Sequence, residues 1–249
     1  MNAHKRQTVA PTVFAIMALI VPAACGSEGE AGEPGTSEAS PSQSMPSSMI
    51  SAGNPSFQAP AQEFTLDEIG FDFGSEDAPI SVIEFSDYGC GYCRRFHTDI
   101  FPTLMKDYVE TGKVRWKYVS FASGQFANGL AAAYAAECAG EQGMFTPMSK
   151  SLYERQADWK NLGEPYPVFE ELAREAGADA DEFQTCIEEQ RPRPRVRSGV
   201  LSGARLGVRG TPSFLVNGVP LMGAQPVEWW NDAFTAIAAD SSGTSGGGP

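Results

Sequence analysis

The chain of 249 residues carries 31 acidic against 18 basic side chains, a formal net charge of −13. A surface of that sign excludes nucleic acid and anionic lipid headgroups as partners. The length allows one well-cored domain, with five cysteines to place in it or ahead of it.

Lys5 and Arg6 precede an apolar run from Val9 to Ala24 that Pro11 and Thr12 interrupt. This pattern reads as a secretory signal over residues 1–25. The run of 16 residues is short for a membrane span, and an uncleaved anchor is the alternative. Val21-Pro22-Ala23-Ala24-Cys25-Gly26 resembles a bacterial lipoprotein signal, in which the cysteine is lipidated and becomes the new N-terminus. Pro22 departs from that pattern, which has an aliphatic residue there. A cut after Gly26 would instead discard Cys25. Residues 26–62 are Gly, Ser, Pro, Glu and Ala with almost no large apolar side chain. Such a composition cannot offset the entropy of folding and predicts a disordered tether. A folded domain is expected over 63–240 and a flexible Gly/Ser-rich tail over 241–249.

Within the domain, Phe64 to Ile69 suggests a first strand. Ile80 to Phe85 is a short β-branched run that reads as a buried strand. Phe96, Ile100, Leu104 and Tyr108 follow at spacing four, a helix that Pro102 should kink or split. Val114 to Tyr118 alternates like a half-buried strand. From about 125 to 190 the period is helical, with Gly177 as a stop and Asp179 or Asp181 as a restart. Val196, Val200, Ala204 and Val208 mark a further helix, with Gly207 near its end. Two apolar runs then flank Asn217-Gly218, a strong hairpin signal. A last helix begins near Pro226, with Val227, Trp230, Phe234 and Ile237 on one face.

Cys90-Gly91-Tyr92-Cys93 lies where the buried strand turns into the helix. Free N–H groups and the positive end of the helix dipole stabilise a thiolate there, so Cys90 becomes a nucleophile at neutral pH. One helical turn brings Cys93 back to Cys90, the geometry of a reversible disulfide. A permanent structural bridge is the blander reading, but so small a ring stabilises little. Cys90, Cys93 and His97 also share one helix face, yet a closed zinc site needs a fourth ligand, so no metal is expected and His97 reads as a surface or packing residue. Export implies an oxidising compartment. With Cys25 lipidated, Cys138 and Cys186 remain for a structural disulfide; two buried free thiols are the alternative.

Glu84-Phe85-Ser86-Asp87-Tyr88-Gly89-Cys90-Gly91-Tyr92-Cys93, followed far downstream by Gly210-Thr211-Pro212-Ser213-Phe214, resembles the bacterial DsbA-like disulfide oxidoreductases. The resemblance covers about Phe64 to Ala239. It implies an α/β chain with a thioredoxin-like fold and an inserted helical subdomain. Pro212 would be cis and lie against the disulfide, and Gly210, Thr211 and Pro212 would pair with an extended substrate. Glu84 stands at the position of the family's buried acid and would relay the proton of Cys93, with Lys117 as its partner on the next strand.

Together with the signal and lipoprotein-like pattern at the N-terminus, the resemblance implies an exported, lipid-anchored monomer of the cell envelope or periplasm, acting on cysteine-containing secreted proteins. A DsbB-like or vitamin-K-epoxide-reductase-like quinone enzyme in the membrane would take its electrons, and no soluble cofactor is implied. Gly91-Tyr92 and Thr211 are closer to isomerases and reductases, so a reductant or isomerase of the same fold stays open. So does a non-catalytic lipoprotein that binds metal or a client.

Overall fold

The computed structural model describes residues 64–243. The expected signal with Cys25, the tether and residues 244–249 lie outside the described residues.

One five-stranded sheet organises the domain, in the order β1-β3-β2-β4-β5. Its strands are β1 (Phe71–Phe73), β2 (Ile80–Ser86), β3 (Val114–Ser120), β4 (Ser213–Val216) and β5 (Val219–Met222). β2 and β3 run parallel; the other pairs are antiparallel. The first strand therefore lies later than Phe64 to Ile69. Leu66–Glu68 is a 3-10 turn instead. Thr65 donates its backbone N–H and its hydroxyl to Glu68 Oε2 while Glu68 N–H bonds back to the Thr65 carbonyl, a reciprocal cap that competes with extension. Gly70, at φ +76°, then turns the chain into β1.

The helical stretch after Cys90 is segmented. It runs through α1 (Gly91–Arg95), a π-helical turn (Phe96–Ile100), α2 (Phe101–Leu104) and a second π turn (Met105–Val109). Pro102 falls in the first turn of α2, where its missing N–H is tolerated, and the preceding π turn absorbs the break. Phe96, Ile100 and Leu104 still reach the core, packed with Val82, Trp116, Phe214 and Trp230 on one face of the sheet. Trp230 comes from the last helix, α9 (Val227–Gly243), which also takes in Ser241 to Gly243 from the expected tail. The other face packs Phe85, Val119 and Val208 beneath α8 (Arg193–Arg205). Gly199 and Gly203 let α8 approach closely: a Cβ would fall 2.5 Å from the Ser120 carbonyl at the first and 2.6 Å from the Phe121 ring at the second.

Between β3 and α8 stand α3 (Gly129–Glu141), α4 (Phe145–Glu154), α5 (Gln156–Trp159), α6 (Tyr166–Ala176) and α7 (Ala180–Glu188). Gly177 ends α6 at φ +93°, and the Asp179 carboxylate caps α7 by accepting from Glu182 N–H. The block has its own core, built around Trp159, Phe169, Phe183 and the small side chains of α3, and continuous with Tyr88, Cys93 and Tyr118.

β3 is buried along nearly its whole length rather than on one face. Lys117 is no partner of Glu84. Register pairs Glu84 with Tyr118 and Lys117 with Ile83, so the two side chains leave opposite faces. Lys117 Nζ instead meets Asp72 Oδ2 at 2.7 Å and the Ile69 carbonyl at 3.1 Å. At the far edge, Asn217 (φ 47°) and Gly218 (φ 81°) form the two-residue turn their sequence predicts. Asn217 also clasps Ser81 through two hydrogen bonds, which pins the hairpin to β2. β5 is left as an edge strand with Val219 and Met222 exposed and Pro220 between them.

Candidate active site

Cys90 occupies the N-cap position of α1, with extended backbone (φ −78°, ψ 126°), and its amide is held by the Asp87 carbonyl. The sulfur lies 3.3 Å from the carbonyl oxygen of Thr211, to which the thiol donates. As a thiolate it is stabilised first by the S–H of Cys93, then by the Thr211 hydroxyl and the N–H groups of Cys93 and Tyr92. These outweigh its burial and bring its pKa from 9.0 down to about 5. Cys93, wholly buried, is pushed the opposite way by desolvation and by the neighbouring sulfur. The two thiols are thus driven apart in acidity, Cys90 toward the thiolate and Cys93 toward the thiol. The side open to approach is at Gly91, where a Cβ would meet nothing within 4 Å, next to the exposed ring of Tyr92.

The Thr211–Pro212 peptide bond is cis. Its loop, with Gly210 and Ser213, lines a shallow pocket of about 230 Å³ together with Arg209, Met222 and Gly223. Cys90, Cys93 and Thr211 therefore converge, with Gly210 and Pro212 flanking Thr211 in the same loop. Cys138 and Cys186 are bonded to each other with their Cα atoms 5.8 Å apart, joining α3 to α7.

Glu84 is fully buried on β2. Its Oε1 meets His97 Nε2 at 2.7 Å and its Oε2 accepts from Trp116 Nε1 at 3.0 Å. His97 is thus no surface residue: its side chain is 7% exposed, and its ring stacks on Tyr153 at 4.2 Å and 6°. The spacing that put His97 on the cysteine face was legible; that this face turns inward onto Glu84 was not.

Several contributors had no assigned role in the sequence. Asp87 is 2% exposed and accepts from Gly89 N–H at 2.8 Å. Burial raises its carboxyl from 3.8 to about 6, with the Gly89 hydrogen bond opposing, the Cys90 charge adding and Lys160 opposing. Glycine is required at 129 as well, since a Cβ there would lie 2.2 Å from Asp87 Oδ1. Gln156 of α5 donates to the carbonyl oxygens of both Tyr88 and Cys90, which clamps the loop leading into the cysteines. Ser86, at the end of β2, lies against Cys93. Nothing in the spacing of Gln156 announces this contact; Asp87 and Ser86 lay in plain view inside the cysteine motif.

A strand-to-helix cysteine pair facing a cis-proline loop, with helices inserted between the two, defines a thioredoxin-fold protein of the DsbA-like kind. A thioredoxin family model matches residues 68–235, and the chain belongs to that family. Protein-disulfide oxidoreductases are among its relatives. One from Rickettsia conorii is 25% identical over 171 residues, covering 67% of this chain and 60% of the relative. Disulfide bond formation protein D of Bacillus subtilis is 27% identical, covering 58% of this chain and 66% of the relative. The chain thus spans under two thirds of the length of these curated relatives. Among solved structures, BdbD of Bacillus subtilis superposes with a TM-score of 0.60 at 22% identity, covering 68% of this chain and 92% of BdbD. The α-DsbA1 protein of Wolbachia pipientis gives 0.62 at 22% identity, covering 70% and 92%. At that identity these two structures establish the shared fold. Among the described residues no helix is long and apolar enough to cross a membrane.

Proposed function

We propose that this chain is an exported thiol–disulfide oxidoreductase that oxidises or rearranges cysteines in proteins outside the cytoplasm. One observation carries the reading: two adjacent thiols whose acidities are driven apart, Cys90 to about 5 and Cys93 above its ordinary value. In the oxidised form a client thiolate attacks Cys90 Sγ, forming a mixed disulfide, and Cys93 leaves. A second client thiolate then attacks the client sulfur, releasing the client disulfide and Cys90 as a thiolate. Pro212 and the backbone of Gly210 and Thr211 align the client as an added strand. Glu84, buried on β2 and tied to His97 and Trp116, is the family's buried acid, and it positions His97 against Tyr153. The Cys138–Cys186 bridge braces the helical block. Oxidation is favoured over reduction because a strongly stabilised Cys90 thiolate stabilises the reduced enzyme, which makes the disulfide a stronger oxidant. Lipidation at Cys25, a signal over 1–25 and a quinone-linked membrane partner complete the reading, on the strength of the N-terminal sequence and the family resemblance.

The test is refolding of a reduced multi-cysteine protein. Wild type should accelerate it and Cys90→Ser should not; equal rates would remove the enzyme. Equilibration with glutathione fixes the direction: a potential near about −120 mV marks an oxidant, and one near about −270 mV a reductant.

A further inference from the structure

We propose that protons reach and leave the buried sulfur of Cys93 along a chain of three hydroxyls, Ser86, Tyr153 and Tyr118, that ends at the cavity beside the active-site helix. This rests on the thiol–disulfide reading above and names the route that reading lacks. When a client thiolate opens the disulfide, the Cys90–Cys93 S–S bond breaks and a client–Cys90 bond forms. The electron pair departs on Cys93 as a thiolate, which needs one proton. Closing the disulfide returns that proton. Yet Cys93 is wholly buried and has no contact with solvent through which to trade it.

The hydrogen bonds supply a path. Tyr153 Oη donates to Ser86 Oγ at 3.1 Å. Because Tyr153 is the donor in that bond, the O–H of Ser86 is free to turn to the neighbouring Cys93 sulfur, where it favours the thiolate. Tyr153 Oη and Tyr118 Oη are 2.9 Å apart, and either can be the donor. Tyr118 in turn lines a cavity of about 420 Å³, with His97, Thr98 and Ser149 on its walls. When Cys93 leaves as a thiolate, Ser86 gives it a proton, Tyr153 replaces that of Ser86, Tyr118 replaces that of Tyr153, and water in the cavity replenishes Tyr118. Burial holds the tyrosine hydroxyls protonated, so no tyrosinate accumulates and the protons move together. Glu84 is no link in this chain, since its hydrogen bonds go to His97 and Trp116 and not to any of the three hydroxyls. It steadies the chain through His97, which is stacked on Tyr153.

Tyr153→Phe and Ser86→Ala each cut the chain. General acid assistance contributes about a hundredfold or more in rate. With oxidised protein and a reduced cysteine peptide at pH 7, each variant should react at least tenfold more slowly. The equilibrium constant of the Cys90–Cys93 pair with glutathione should stay within twofold of wild type, since a conduit alters rates alone. A slowing below tenfold overturns the proposal, and so does a rate loss matched by an equal shift in equilibrium. Should the variants not fold, wild type alone decides. Its rate in mixtures of light and heavy water should fall along a curve, as several protons in flight require, and a straight line overturns the chain. The function itself fails separately, through Cys90→Ser exchanging as fast as wild type.

Discussion

Asp87→Asn isolates one buried charge. The replacement keeps the shape and leaves an amide oxygen able to accept from Gly89 N–H, the bond Asp87 makes at 2.8 Å. Burial raises the carboxyl from 3.8 in the open chain to about 6 in the fold. At about 1.4 kcal/mol per tenfold, that displacement amounts to about 3 kcal/mol. The sign follows from linkage. A raised acid contributes its stability below 3.8, where both states hold the proton, and loses it as pH rises through 6, where the folded protein must ionise a buried group. The asparagine variant has no such loss. Its stability relative to wild type should therefore climb by about 2–3 kcal/mol between pH 4 and pH 7.5 and then level off. Urea unfolding across that range, on the oxidised protein so that Cys90 does not titrate, gives the measurement; with the Cys90 charge absent there, the climb should lie at the lower end of its energy range. A difference that stays flat with pH would refute the reasoning, because it would place the carboxylate in water.

Four further outcomes follow from the same geometry. Alkylation of the reduced protein should show Cys90 reacting with a midpoint near pH 5 and Cys93 protected; a midpoint near 8.5 would return Cys90 to an ordinary thiol. The same depression makes the reduced form gain stability from pH 5 toward 9, a gain lost as pH falls through 5. Replacing Cys138 and Cys186 by alanine opens a loop spanning 48 positions and should cost about 4 kcal/mol in urea or thermal unfolding, with a loss under about 1 kcal/mol counting against it. His97→Leu leaves one oxygen of a buried carboxylate without its partner and should cost about 2–3 kcal/mol, whereas a change under about 0.5 kcal/mol would mean that water reaches Glu84.

The cysteine pair's placement, the hairpin and the last helix were legible because each rests on local chemistry. Cysteines at spacing three on a strand-to-helix turn, Asn-Gly between apolar runs and an apolar stripe behind Pro226 need no distant partner to be recognised. Within the sheet and its neighbours the shortfall has one cause, which is that register and burial are set by other strands. Lys117 could be assigned to Glu84 only while the face of each was unknown, and pairing of Ile83 with Lys117 separates them. His97 reads as either a surface or a packing residue on its helix, and Glu84 and Tyr153, which close over it, decide for packing. The start of the first strand was lost to a capping pair, Thr65 and Glu68, whose signature was present in the sequence and went unread.

Pro220 bears on how such a molecule behaves in a crowd of unfolded chains. A two-residue hairpin turn makes Val216 and Val219 exchange their hydrogen bonds, so the next pair, Leu215 and Pro220, is one whose amides point away from each other. The proline therefore takes nothing from its neighbour β4, and it erases a donor on the outward rim of the sheet. An incoming strand meets a gap there and cannot zip along the rim. Under the proposed function, extended clients are left to engage at the cysteines, and the rim is guarded against seeding their aggregation.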